Sequence, residues 1–286
     1  MKIKSIIAML LLAVMLMPAA FAETEEEWVN ILLLGGDSRS TESYGRTDTI
    51  IVLSINRDSG EMKMTSIMRD TWVQLSEGRK GKINAANVYG GPEMTMRVVN
   101  EHFGLNIEKY VLVNMYDLVH IIDMFGGVDI EITEGERTQL NKYAGEYLDK
   151  ISNYNGATSL EHSGMVHMNG LLAVSYMRIR YTDSDYVRVM RQQRVMIEVA
   201  GNAQNMEVDE LMAMADEIFA CVETNMTDEE LKDLAMSALT VDTEEIGQYR
   251  VPADGTFESG TFDGTWMIRA DFEKNKKLLD DFIYGE

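Results

Sequence analysis

The chain has 286 residues with 26 Lys and Arg against 47 Asp and Glu, a formal net charge of -21. That balance excludes a nucleic-acid-binding protein, because phosphate contacts need a surplus of cations; 45% hydrophobic and 26% charged residues exclude a disordered chain. A single cysteine, Cys221, excludes an intrachain disulfide and a Cys-rich zinc site, and four scattered histidines give no metal-ligand spacing.

The N-terminus reads as an export signal. Lys2 and Lys4 precede an apolar run from Ile6 to Met17, followed by Pro18 and Ala20-Phe21-Ala22. A basic start, a short apolar core and an A-x-A site predict cleavage after Ala22. The alternative is an uncleaved anchor, since Ser5 to Ala22 gives 18 residues, barely a membrane span. Residues 23–286 then form one exported α/β domain, with a core over about 29–205 and a helical and strand extension over about 206–286.

Along that domain, the apolar run Val29 to Leu34 ending in Gly35-Gly36 predicts a buried central strand. Asp48 to Asn56 and Glu61 to Met68 predict two strands joined by Arg57-Asp58-Ser59-Gly60, a hairpin turn. Gly91-Pro92-Glu93 opens a helix that Gly104 ends. Tyr110 to Val113 is a strand, Met115 to Phe125 a helix closed by Gly126-Gly127, and Val128 to Ile132 a strand. Gly135 to Gly164 is polar without a strong period and reads as a loop or insertion. A short helix follows Asn169-Gly170, then a strand from Tyr176 to Tyr181, then a helix from Arg188 to Asn202. Glu207 to Leu239 is helical, and the tail holds a strand or two and a helix over Asp271 to Ile283. Alternating strands and helices imply a mostly parallel or mixed sheet between helical layers.

The charged residues converge in this reading. With the turn centred between Asp58 and Ser59, hairpin residues whose numbers sum to 117 face each other, so Asp48 lies opposite Arg69, ~5 Å away. Arg46 and Asp70 lie at the same end, where the first strand delivers Asp37, Ser38 and Arg39. On a strand, Arg178 and Arg180 share one face, roughly 7 Å apart. Arg188, Arg191 and Gln192 share one helical face, and Lys82 sits in a Gly-containing loop. Arginine forks match phosphate oxygens, and aspartates among them can hold a hard divalent cation that bridges phosphates. The set suits a pyrophosphate ester.

The ordered segments Ile31–Arg39, Gly45–Thr49, Ser66–Thr71, Lys82–Ala86, Tyr89–Gly91, Gly126–Asp129, Met168–Gly170, Arg178–Arg180 and Arg188–Gln193 resemble the LytR–CpsA–Psr (LCP) family. The resemblance implies an exported phosphotransferase that moves an anionic glycopolymer from a polyprenyl-pyrophosphate carrier to peptidoglycan, at the C6 hydroxyl of N-acetylmuramic acid, close to the membrane surface. It implies Mg2+ as cofactor, held by Asp37 and Asp48, and a pyrophosphate site made of Arg46, Lys82, Arg178, Arg180, Arg188, Arg191 and Gln192. It implies a part in the chemistry for Arg69, Asp48 and Asp37, and an apolar lipid pocket to which the helices from Pro92 and Met115 could contribute. Met68 stands where the family pattern has proline. A hydrolase using water at the same site, and a noncatalytic envelope-binding or regulatory protein, are the rival readings.

Overall fold

The computed structural model describes residues 28–36, 45–148, 151, 154–179, 185–238 and 245–285. The expected signal segment, Asp37 and Arg180 lie outside them. Strands β1 (Trp28–Gly36), β2 (Thr47–Asn56) and β3 (Met62–Ile67) are followed by a small hairpin, β4 (Trp72–Ser76) and β5 (Arg79–Lys82). Helix α1 (Ala86–Phe103), β6 (Ile107–Asn114), α2 (Met115–Met124), β7 (Val128–Ile132), α3 (Glu134–Leu148), β8 (Gly164–Met168), α4 (Gly170–Met177) and α5 (Asp185–Asn205) come next. The chain continues through α6 (Val208–Ala220), β9 (Val222–Thr224), α7 (Asp228–Ala238), β10 (Gly247–Val251), β11 (Phe257–Phe262), β12 (Thr265–Ala270) and α8 (Phe272–Tyr284).

The main sheet has six strands in the order β10-β3-β2-β1-β6-β9. Two neighbouring pairs, β10–β3 and β1–β6, are parallel; the other three are antiparallel. The sheet is therefore mixed and not mostly parallel, because the tight β2–β3 connection forces strand reversal. The Asn56 side chain accepts from Asp58 N and Ser59 N at 2.9 and 2.8 Å, and Gly60 takes φ +75°. The resulting ladder pairs Ile55 with Met62 and Ile51 with Ser66, the register in which numbers sum to 117.

Alternation along β1 divides the core. Leu32 and Leu34 point into a cluster with Val98, Val99 and Phe103 of α1 and Leu279 and Ile283 of α8. Ile31, with Val29 and Leu33, points the other way, onto Phe219, Met226, Leu231 and Leu234 around α6 and α7. Ile31, Leu32, Leu34, Leu279 and Ile283, at most 2% exposed, each contribute ~2 kcal/mol. A third cluster joins α2, α3, α4 and α5 to β7 and β8 beside the sheet.

Several elements differ from the sequence reading. Of the segment expected as a strand from Tyr176 to Tyr181, Tyr176 and Met177 end helix α4 and Arg178 caps it; residues Gly170 to Met177 are all buried. A helix apolar all round has no 3.6-residue period and looks like a buried strand. The first part of the loop expected over Gly135 to Gly164 is helix α3, and among its described side chains it buries Leu140, Tyr143 and Ala144. Its start is a capping box: Thr133 N donates to Glu136 Oε2 at 2.9 Å, and Glu136 N donates back to Thr133 Oγ1 at 3.3 Å. Helix α1 begins before Pro92, but Gly90 and Gly91 break it, so that Pro92 opens its second segment. The helical stretch after Glu207 is two helices separated by β9, and the tail has three strands. Cys221, expected as a buried hydrophobe, is half-buried at the end of α6. Met68 N donates to Val251 O at 2.9 Å, a bond that proline could not make.

Two glycine substitutions test these packings. A Cβ on Gly170 would sit 1.9 Å from the Val119 carbonyl oxygen, so Gly170→Ala is expected to cost more than ~2 kcal/mol by thermal or urea unfolding. Gly145, exposed in α3 with nothing within 4 Å of a built Cβ, should gain up to ~1 kcal/mol as alanine. Unchanged or lowered stability of Gly145→Ala would argue against the α3 helix.

Candidate functional site

The hairpin register brings Asp48 and Arg69 together just past the last backbone pair. Arg69 Nη1 lies 2.7 Å from Asp48 Oδ1. Arg69 Nε lies 3.5 Å from Asp70 Oδ2, and Lys82 Nζ lies 2.7 Å from Asp70 Oδ1. Arg188 adds a contact from the far side of the fold, its Nη2 donating to the Asp48 carbonyl oxygen at 3.3 Å. Arg69 and Asp70 are each largely shielded, with side-chain exposures of 13% and 12%. Their attraction is consequently less screened than that of surface pairs. Lys82, expected in a loop, ends strand β5.

Of these groups Asp48 and Arg188 line a cavity with about 450 Å³ of empty space, part of it open to solvent, and Arg69 reaches it through its contact with Asp48. Its polar lining is Asp48, Thr49, Arg178, Arg188 and Gln192, and its apolar lining is Val113, Met115, Leu118, Val174 and Met177. Gly35 completes the lining near the carboxyl end of β1, where ligands bind in α/β sheets. A Cβ on Gly35 would come within 2.9 Å of Thr49 Cβ, so glycine permits the close approach of β1 to β2 here.

Arg178 sits at the C-cap of α4 and not on a strand, and its Nη1 lies 3.3 Å from Met115 Sδ. It therefore reaches the cavity from a helix end; Arg180 lies outside the described residues. Arg188, Arg191 and Gln192 are all buried on one face of α5, 4%, 2% and 5% exposed. Arg188 and Gln192 line the cavity, whereas Arg191 turns beneath it. Arg191 Nε lies 2.9 Å from Glu136 Oε1, and its Nη1 donates to Ile179 O at 3.3 Å. Its guanidinium lies 5.6 Å from the Tyr176 ring centre. Arg191 thus ties α3, α4 and α5 together and positions the two residues that line the cavity. Arg46 is exposed and lies outside the cavity wall.

Sequence reading missed Glu136, whose signal was the Thr133-x-x-Glu136 capping pattern. It also left the apolar wall unassigned. The helix from Met115 supplies part of it, α4 supplies Val174 and Met177, and the helix from Pro92 supplies none.

The donor chemistry of the cavity suits Mg2+, which takes one or two protein carboxylates and completes its shell with water and substrate phosphate. Asp48 provides one such carboxylate in the wall. Among the described residues no three His, Cys, Asp or Glu side chains gather into an all-protein cage.

Burial opposes ionisation of Glu136, but hydrogen bonds from Thr133 and Arg191 outweigh it and hold the carboxyl below its usual range. A depressed carboxyl stabilises the fold above its unfolded value, ~4.5, and loses that stabilisation as pH falls through the folded value. Glu136→Gln should therefore cost ~3 kcal/mol at pH 7 by leaving Arg191 without its charge partner. Unfolding measured from pH 6 to pH 3 should show the gap to the parent narrowing as the pH falls. A constant gap would contradict the role given to the pair.

The chain matches the LytR_cpsA_psr family over residues 15–281. It is 30% identical over 249 residues to the polyisoprenyl-teichoic acid–peptidoglycan teichoic acid transferase TagU of Bacillus cereus, covering 85% of this chain and 74% of that one. It is 32% identical over 251 residues to the protein of that name in Bacillus mycoides, with the same coverages. The fold aligns with the crystal structure of Bacillus subtilis TagV at a TM-score of 0.71 and 24% identity, over 91% of this chain and 99% of that one. It aligns with TagT bound to LI-WTA at 0.70 and 20% identity, over 91% and 92%. With the matched segment spanning nearly the whole sequence and the fold agreeing, the chain belongs to the LytR–CpsA–Psr family.

Proposed function

We propose that this protein is a cell-envelope phosphotransferase that moves an anionic glycopolymer from a polyprenyl-pyrophosphate carrier to peptidoglycan. The observation that carries the reading is one cavity lined by both arginines and apolar side chains. Its arginine forks take phosphate oxygens, and its apolar side chains take the first isoprene units of the carrier. The names of the relatives, teichoic acid transferases acting on peptidoglycan, support the same donor and acceptor classes. Export of residues 23–286 by the N-terminal segment, cleaved or retained, puts the domain beside both substrates.

In this reading the pyrophosphate lies across Arg178 and Arg188, with Gln192 hydrogen-bonding an oxygen and Arg69 facing the bond to be broken. The muramic acid hydroxyl attacks the sugar-proximal phosphorus in line. The bond from that phosphorus to the bridging oxygen breaks, and polyprenyl phosphate leaves with the electron pair. The hydroxyl proton passes to a carboxylate, Asp48 or Asp37. Arg69, held by Asp48 and Asp70, is pre-aligned to stabilise charge on the transferring phosphoryl group. Mg2+ bound by Asp48 and Asp37 would neutralise charge on the departing phosphate. Lys82, bonded to Asp70, acts on Arg69 from behind.

Arg69→Ala should lower the transfer rate by about 10³-fold or more while the protein remains folded. The assay uses a synthetic polyprenyl-pyrophosphate glycan and peptidoglycan oligomers, with the covalent product measured by mass spectrometry. Near-normal transfer by Arg69→Ala would remove Arg69 from the chemistry, and release of free glycan phosphate by the parent in place of product would indicate hydrolysis. Asp48→Ala should lose the response to Mg2+ and EDTA that the parent shows; a variant responding like the parent would contradict the metal assignment.

A further inference from the structure

The outward face of the β4–β5 hairpin is left without a task by the cavity. Trp72, Gln74 and Ser76 alternate with the buried Val73 and Leu75, which enter the core. Across the ladder Trp72 pairs with Lys82 and Gln74 with Lys80. Gly81, between the two lysines, faces inward, where a Cβ would come within 2.8 Å of Leu75. Lys80 and Lys82 therefore share the outward face with Trp72. The β11–β12 hairpin docks alongside: Ile268 N donates to Asp70 O at 3.0 Å, and Thr71 bridges to Ile268. This docking sets Trp266, 44% exposed, with its ring centre 5.8 Å from Lys82 Nζ. Two of the chain's three tryptophans thus meet two lysines on one surface, in a protein of net charge -21.

Resting on the function proposed above, we infer that this face is the acceptor subsite, with Trp266 and Trp72 stacking on the sugar rings of a glycan strand and Lys80 pairing with its peptide carboxylates. An exposed indole costs little to order and offers its electron-rich face to the C–H groups of a pyranose. Elsewhere the acidic surface repels a strand bearing carboxylates, so a local pair of lysines selects where that strand lies. The face also connects to the cavity. Lys82 contacts Asp70 at 2.7 Å, Asp70 contacts Arg69, and Arg69 contacts Asp48. A strand lying over Trp266 is led toward the phosphorus that Arg69 faces. In-line attack puts the departing polyprenyl phosphate opposite the acceptor hydroxyl, which leaves this surface to the acceptor.

The test uses the full chain and a soluble, uncrosslinked oligomer of alternating N-acetylglucosamine and N-acetylmuramic acid with its stem peptides, titrated by calorimetry. Trp266→Ala and Lys80→Glu should each raise Kd about tenfold, with Trp266→Phe restoring most of the affinity. Amidating the stem carboxylates should weaken binding to the parent and leave Lys80→Glu little changed. In the transfer assay the acceptor KM should rise in both variants, with kcat and donor KM near those of the parent. Variants that bind the oligomer like the parent, or a parent that does not bind it, would overturn the subsite. A parent that binds the oligomer but transfers nothing to it would instead contradict the transferase reading and leave the subsite standing.

Discussion

A guanidinium and a carboxylate facing each other past the end of two antiparallel strands organise the site. Asp48 lies near the start of β2 and Arg69 just beyond β3, in a register fixed by a four-residue turn about 10 residues away along each strand. A slip of one residue would turn Asp48 to the other face of the sheet and leave Arg69 shielded beside Asp70 alone. The core imposes the same register, since Ile50 and Val52 must enter one cluster while Ile55 enters the other. The polar pair is thus positioned by apolar packing, and its cost in desolvation is offset by burial that the fold requires in any case.

Around that pair the protein assembles a cavity from six elements: β1, β2, β6, α2, α4 and α5. The cationic residues come from helix ends and helix faces and the carboxylate from a strand. A second tier holds the first in place. Arg191 does not reach the cavity, yet its contacts to Glu136, Ile179 and Tyr176 set the rotation of α5 and hence the direction of Arg188 and Gln192. Concentrating guanidinium groups in an acidic protein raises the local potential for a diphosphate while the rest of the surface stays anionic.

Much of this was legible in residue order. The Asp58-Ser59-Gly60 turn determines the register, and the register determines the Asp48–Arg69 contact, so both follow from counting. The spacing of Arg188, Arg191 and Gln192 placed them on one helical face, and the structure buries all three there. What spacing could not tell is that one of the three turns beneath the cavity, because that depends on Glu136 in a helix with little apolar periodicity. Helix α4 was unreadable for the opposite reason: buried on every side, it shows an unbroken apolar run. The apolar wall draws on β6, α2 and α4, and no local pattern links residues so far apart in the chain. The docking of the β11–β12 hairpin onto Asp70 and Thr71 likewise rests on backbone bonds that any sequence could make.

The central claim is that one cavity grips both a diphosphate and the start of an isoprenoid chain. Equilibrium binding of a polyprenyl pyrophosphate, compared in the same detergent with the polyprenol of equal length, tests it most directly. The account predicts that the pyrophosphate binds at least ~100-fold more tightly, that Arg188→Ala removes most of that difference, and that Leu118→Asp weakens both ligands. Equal affinities for the two lipids, or a preference for pyrophosphate untouched by Arg188→Ala, would contradict it.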